Sequence, residues 1–320
     1  MNPAALATLH QHLLSALSPP PAEVRRLFHG RGRCWPGLEQ LTVDWLQGVL
    51  LVALFRQPEA DELSALEAML LALSAAPAWQ QCGAHSLLLQ HRYRQDNGAQ
   101  WLLGEPLAGC VVVENGLRFQ LDLGRWQNTG LFLDMRHGRR WVQEQAAGKR
   151  VLNLFAYTCG FSVAAIAGGA EQVVNLDMAK AALSRGRDNH RLNRHDLSRV
   201  SFLGHELFKS WSKLKKYAPY DLIIIDPPSF QKGSFVLSKD YQKILRRLPD
   251  LLGASGSVLA CFNDPSIGPE FLIDGMASEA PGLRFVERLD NPPEFADISA
   301  DSALKVLVFT HLPPAEAAAP

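Results

Sequence analysis

Short uninterrupted apolar runs recur through the second half of the chain, and each breaks at a polar or glycine-bearing turn. VLNLFAY (151–157), VVNLD (173–177), VSFLG (200–204), YDLIIID (220–226) and GSVLACF (256–262) are such runs. The stretches between them carry helical spacing that begins near 161, 179 and 240, and a further helix is predicted over 139–146. ADSALKVLVFTHL (300–312) reads as a last strand. Buried strands alternating with helices predict an α/β fold, a parallel sheet of Rossmann-like, doubly wound type covered on both faces.

The front half follows another pattern. Leu6, Leu9, Leu13, Leu14 and Leu17 share helical spacing, and Pro19, Pro20 and Pro21 stop that helix. Apolar runs at 49–55 and 86–90 read as strands, and 62–73 carries the apolar stripe of a helix. The expected organisation is a helical extension over 1–19, a small β-rich α+β substrate-recognition domain over 20–125, the Rossmann-like domain over 126–315 and a disordered tail over 316–320.

Composition narrows the function classes. Hydrophobic residues are 47% of 320 and charged residues 20%, which excludes global disorder. Lys+Arg and Asp+Glu are both 32, so any grip on nucleic acid must be a local basic patch. Residues 151–170 carry no charge over 20 positions, the length of a membrane span, but they hold polar residues and three glycines. A buried strand, a loop and a buried helix explain them better, and no membrane association is expected. The five cysteines, Cys34, Cys82, Cys110, Cys159 and Cys261, are scattered and form no CxxC. That pattern argues against disulfides and zinc and fits a reducing cytoplasm. The ten histidines give no metal spacing, so no metal is expected.

In a doubly wound sheet the ligand sits at the carboxyl ends of the strands. The first strand breaks at Phe155, Tyr157 and Thr158 before Gly160. One glycine among bulky residues leaves little room for a pyrophosphate, unlike a GxGxxG loop. A ligand without phosphates fits better. Asp177 ends the second strand, 17 residues after Gly160, where a carboxylate can accept both ribose hydroxyls. Capping the next helix is the plainer role for it. Glu206 follows the third strand and is placed to take an adenine amino group, or to be a surface glutamate. Asp226, Pro227, Pro228 and Phe230 end the fourth strand. Prolines force the chain out of the sheet there, presenting acceptors to a planar amino-bearing base.

In this order, these strand ends resemble the motif set of class I S-adenosylmethionine-dependent methyltransferases. NTGLFLDMRHGRRWV (128–142), together with VLNLFAYTCGFS, VVNLDMA, YDLIIIDPPSF and GSVLACFND, narrows the resemblance. The chain is similar to bacterial large-subunit ribosomal RNA methyltransferases that make 5-methylcytosine, and to the 7-methylguanosine module of the two-headed ribosomal RNA enzyme. It covers about 130–265 well and 29–55 more weakly. The PUA domain that many members carry at the N-terminus is expected to be absent, with the helix 2–17 in its place. The resemblance implies S-adenosyl-L-methionine as cofactor, with Asp134 and Arg136 closing over it. It implies Asn153, Phe155, Tyr157 and Thr158 around the methionine part, and Asp177 and Met178 at the ribose and adenine. Glu206 would touch the adenine; Asp226, Pro227, Pro228 and Phe230 would face the target base. The implied partner is ribosomal RNA, free or in an assembling large subunit. A homodimer would widen the RNA surface.

Two departures matter. Cys159 stands where the family usually has glycine. Methylating cytosine C5 needs a thiolate at C6, and relatives that do so place a cysteine at the end of the fifth strand. Here Asn263 takes that position, and Cys261 lies two residues earlier as a core thiol. Guanine N7 is thereby preferred over cytosine C5. Other readings are a methyltransferase of protein amides or amines, a nucleotide-dependent oxidoreductase and a non-catalytic RNA-binding assembly factor. For RNA contact, the first 148 residues hold twelve arginines and no lysine. Arg25, Arg26, Arg31 and Arg33 form one cluster there. Residues 185–216 form another, with nine Lys/Arg against three Asp/Glu. Solvated helix faces are the plainer account of such runs.

Overall fold

Alternating side chains of the predicted strands are buried in two separate clusters, one on each face of a sheet. Leu152, Leu154, Val174, Leu176, Ile223 and Ile225 belong to one cluster. Val151, Val173, Leu222, Ile224, Leu259 and Cys261 belong to the other. Burial on both faces is why these segments read as continuous apolar runs. The structure is a computed structural model, which describes residues 1–96, 98–228, 230–231 and 235–311, with the backbone alone at 230 and 231. The disorder expected at 316–320 lies outside the described residues.

The chain divides into two units, 1–134 with 292–298, and 135–291 with the residues from 299 onward. This differs from the expected boundary at 125/126, and the return of 292–298 to the first unit has no compositional mark. In the first unit, α1 (Pro3–Ala16) precedes β1 (Arg25–His29), β2 (Leu41–Trp45) and β3 (Val49–Leu54). Then come α2 (Ala60–Ser74), α3 (Pro77–Gln81), β4 (Ser86–His91), β5 (Ala99–Leu103) and the hairpin β6 (Gly109–Glu114) with β7 (Leu117–Asp122). The first five strands form one sheet in sequential order. Leu6, Leu9, Leu13 and Leu17 of the α1 region share a core with Leu66, Leu70 and Leu73 of α2 and with strand residues such as Val43 and Leu50. The expected extension over 1–19 is therefore corrected: its leucine stripe is part of that unit's core, because only packing hides it from water.

The second unit runs α4 (Arg136–Gln145), β8 (Arg150–Leu154), α5 (Gly160–Ala167), β9 (Gln172–Asp177), α6 (Lys180–Leu192) and β10 (Val200–Gly204). It continues through α7 (Trp211–Lys215), β11 (Tyr220–Ile225), β12 (Phe230–Gln231), β13 (Phe235–Val236), α8 (Leu237–Leu245) and β14 (Leu252–Phe262). It ends with α9 (Glu270–Glu279), β15 (Leu283–Arg288) and β16 (Lys305–His311). Seven of these strands form a sheet of order β10-β9-β8-β11-β14-β16-β15. The pairs from β10 to β14 are parallel. β16 is antiparallel to both β14 and β15, so the sheet is mixed rather than wholly parallel. From β8 the chain winds out to β10 on one side, then returns to β11 and β14 on the other. The winding reverses between β8 and β11, where such folds open a crevice. Among the described residues, no helix is long and apolar enough to cross a membrane.

Candidate active site

Register brings the strand ends level. Gly204 lies beside Asp177, and Leu154 lies beside both Leu176 and Ile225. Ile225 lies beside Ala260. One residue further along, Asp177, Phe155, Asp226 and Cys261 therefore share one level at the carboxyl edge. Residues as distant in sequence as 155 and 226 become neighbours through parallel pairing alone.

The loop after β8 is tightly wound. Phe155, Tyr157 and Cys159 all adopt positive φ, at 56°, 46° and 62°. Such backbone costs a side-chain-bearing residue of order 1 kcal/mol or more and persists when its surroundings impose it. Here the surroundings are explicit. The Tyr157 backbone N–H donates to Asp177 Oδ2 at 2.8 Å, and the Ala179 N–H donates to Oδ1 at 2.7 Å. Asn189 Nδ2 of α6 donates to the Thr158 carbonyl at 3.1 Å. Glycine would adopt the positive φ of position 159 without that cost. A Cβ at Gly186 would sit 2.3 Å from Cys159 Sγ, so the α6 glycine is what leaves room for the thiol. Burial, with Asp177 as a second cause, pushes that thiol far up, so Cys159 is a packing group rather than a nucleophile.

Asp177 serves two backbone donors and keeps further acceptor capacity on each oxygen. Burial raises its pKa from the usual carboxylate range, and the Ala179 and Tyr157 N–H groups oppose the rise. Beside it a hollow is lined by Phe155, Asp177, Met178, Glu206 and Phe208. With Leu176, His205 and Leu207, its lining has two carboxylates, one imidazole, apolar walls and no Lys or Arg. That chemistry suits a nucleoside without phosphates. Glu206 Oε1 accepts from the Phe208 N–H at 2.9 Å, and Oε2 lies 3.2 Å from Lys209 Nζ. It is thus a turn cap as well as part of the wall. Met178 is exposed over the hollow's edge, and Gly160 opens α5.

Across the reversal, Asp226 follows β11 directly, Pro227 is buried and Pro228 exposed. The side chain of Phe230, expected to face the base, lies outside the described residues. Cys261 is fully buried inside β14, and Asn263 is exposed just beyond its end. Two groups that sequence reasoning did not find hold this edge. The Tyr241 hydroxyl of α8 is shared between the carbonyls of Ile225 (3.3 Å) and Cys261 (3.1 Å). It straps the two strand ends together, and burial raises its pKa well above the phenol range. Lys305 is fully buried, and its Nζ donates to the Asp264 carbonyl at 2.6 Å. A tyrosine and a lysine in amphipathic segments carry no signal of such roles until the fold is known.

Asn153 needs correction. It lies within β8 and not in the loop. Its Nδ2 donates to Asn175 Oδ1 at 2.9 Å, and Asn175 Nδ2 donates to Ser162 Oγ at 2.9 Å. Ser162 Oγ and His190 Nε2 lie 2.8 Å apart, and the Nδ1 atoms of His190 and His195 3.0 Å. The amide is committed to a buried polar chain tying β8, β9, α5 and α6, because strand alternation puts 153 on the face of Val151. Three of the four arginines of the first basic cluster are likewise engaged within the protein. Arg26 pairs with Asp44 at 2.7 Å, Arg33 with Asp297 at 3.0 Å and Arg25 with Glu294 at 3.6 Å. In the second cluster, Arg191, Lys209 and Lys215 each pair with an acid. Asp134 lies in a short 3-10 turn at the end of the first unit, and Arg136 begins α4.

The family model described as S-adenosylmethionine-dependent methyltransferase matches residues 25–310. The chain belongs to the S-adenosylmethionine-dependent methyltransferase family. S-adenosylmethionine is accordingly its cofactor, and the two carboxylates that line the hollow suit the nucleoside part of that molecule. YwbD of Bacillus subtilis (strain 168), named as a ribosomal RNA large subunit methyltransferase, is 29% identical over 86% of this chain and 70% of its own length. Ribosomal RNA large subunit methyltransferase K/L of Shewanella sp. (strain MR-4) is 36% identical over 63% of this chain. The match spans only 29% of that longer protein. The crystal structure of SMU.776, described as a methyltransferase and complexed with SAH, superposes with a TM-score of 0.81. It is 25% identical, covering 95% of this chain and 80% of its own.

Proposed function

We propose that this methyltransferase acts on a base of large-subunit ribosomal RNA, at guanine N7 in preference to cytosine C5. The observation that carries the choice of atom is the exposed Asn263 at the end of β14, two residues beyond the fully buried Cys261. Two residues of strand are about 6–7 Å. A thiol sealed in the core cannot attack C6 of a cytosine, whereas guanine N7 is already nucleophilic and needs only to be positioned. The relatives named as ribosomal RNA large subunit methyltransferases support the choice of substrate.

In this reading Asp177 accepts from the ribose hydroxyls, and Glu206 takes the adenine amino group. Phe155, Met178 and Phe208 wall the adenine. Tyr157, Thr158 and Gly160 shape the backbone around the methionine part, and Asp134 and Arg136 close over it. S-adenosylmethionine supplies an electrophilic methyl on its sulfonium. Asp226, Pro227, Pro228 and Asn263 would hold the base edge so that its nucleophilic atom faces that methyl. No strong general base is needed for a ring nitrogen that bears no proton. The test is nucleoside mass spectrometry of ribosomal RNA from cells lacking the gene, complemented by wild type or by Asp226→Ala. One 7-methylguanosine should return with wild type and not with the variant. Identical nucleoside profiles with and without the wild-type gene would refute the reading.

A further inference from the structure

We infer that the first unit carries a stacking surface for single-stranded RNA, centred on Trp126. This rests on the RNA reading above and goes beyond it, because it names where the RNA is held outside the methyl-transfer edge.

Trp126 is 54% exposed, although tryptophan is highly buried on average. The exposure does not come from an unanchored loop. Gln90 Nε2 donates to the Trp126 carbonyl at 3.0 Å. Arg92 donates to the Gln127 carbonyl at 2.6 Å and to Asn128 Oδ1 at 3.1 Å. The Asp122 N–H donates to the Thr129 carbonyl at 2.8 Å, closing the loop base. Three bonds to the loop backbone and one to the Asn128 side chain hold the loop while the indole is exposed.

Arginines flank the exposed ring. The Arg125 guanidinium lies 5.1 Å from the Trp126 ring centroid. Arg92, which pins the loop, also lies 5.2 Å from the Phe55 ring, and Arg31 lies 4.3 Å from that same ring. Arg31 and Arg92 thus face the Phe55 ring, and Arg92 ties that cluster to the loop that carries Trp126 and Arg125. Guanidinium and indole planes both stack on bases, and arginine forks grip phosphates. Splayed bases on aromatic platforms beside cations are how single strands are held, whereas a duplex hides its base faces. A neutral chain needs such a local device, since its overall charge offers RNA no attraction.

The experiment uses the full chain and a fluorescein-labelled single-stranded RNA of twelve mixed-sequence nucleotides, followed by polarisation. Trp126→Ala should weaken binding roughly five- to hundredfold, the effect of losing one stacked base. Trp126→Phe should recover most of it. Arg125→Ala should lower the slope of log affinity against log salt by about one contact. Affinity for S-adenosylhomocysteine should be unchanged in all three, which confirms that each variant is folded. Wild type that methylates ribosomal RNA, with Trp126→Ala binding the oligonucleotide equally well, would overturn the surface and leave the RNA reading standing. Wild type that methylates ribosomal RNA without binding the oligonucleotide would also overturn the surface alone. Wild type that neither binds the oligonucleotide nor methylates ribosomal RNA would remove both.

Discussion

Asp177 joins the loop after β8 to the start of α6 while lining the hollow, so its carboxylate has a structural role beside the ligand contact proposed for it. Asp177→Asn keeps the shape but loses the charge and one acceptor oxygen. Charge-assisted hydrogen bonds contribute about 1.5–3 kcal/mol. Affinity for S-adenosylhomocysteine by calorimetry should therefore fall about ten- to hundredfold. Unchanged affinity would leave Asp177 as a cap alone. Asn263 and Cys261 make the complementary pair. Asn263→Ala should lower kcat with the same cofactor affinity, whereas Cys261→Ser should leave kcat nearly unchanged and lower stability. A thiol essential to transfer would reverse that order. At this scale the sequence was readable in position, since Asp177 ends β9 and Asp226 follows β11 as expected. It was misleading at Asn153, where one step of strand alternation turns the amide into the sheet's interior and onto Asn175. It was silent at Tyr241, whose hydroxyl meets Ile225 and Cys261 only after β11 and β14 pair.

Among the elements, α6 acts as a brace for the cofactor loop. Asn189 holds the Thr158 carbonyl, and Gly186 receives Cys159. Gly186→Ala forces a methyl against a buried thiol with no flexible end to move, so a loss of about 1–3 kcal/mol is expected. Cofactor affinity should drop with it, because the displaced loop carries Tyr157 and Thr158. Adding Cys159→Gly should restore both, since glycine accepts φ 62° and frees the space. A double variant no better than the single one, in denaturant melts and calorimetry, would show that α6 does not position the loop. The strands β8, β9 and β11 were legible because both faces are buried and their runs are unbroken. β15 was not, because LRFVER is mostly exposed and reads as a polar stretch. It is a strand only because β16 offers it an edge. The antiparallel entry of β16 was equally hidden, since a single apolar run fits either direction.

For the whole molecule, buried histidines set the acid limit of stability. Burial first and His195 second lower His190 from 6.5 to about 3. Burial, then Arg26 and Arg31, lower His29 to about 4. Above pH 6.5 both are neutral folded and unfolded, and pH has no leverage through them. Below 6.5 the unfolded chain takes up protons that the folded chain refuses, so stability falls as pH falls toward these values. His190 alone should cost on the order of 1–2 kcal/mol between pH 7.5 and 5. Urea midpoints across that range should decline, and His190→Gln should flatten part of the decline. A curve insensitive to that substitution would contradict the neutral, buried assignment. The α/β architecture was legible from alternation, but the return of 292–298 to the first unit was not, since no period or composition marks it.

The most direct test of the account is methyl transfer from labelled S-adenosylmethionine to ribosomal RNA lacking the modification, by wild type and Cys261→Ser in parallel, with digestion to nucleosides. The account predicts label in 7-methylguanosine at comparable yield from both proteins. Label in 5-methylcytosine that disappears with Cys261→Ser, or label in protein and none in RNA, would contradict it.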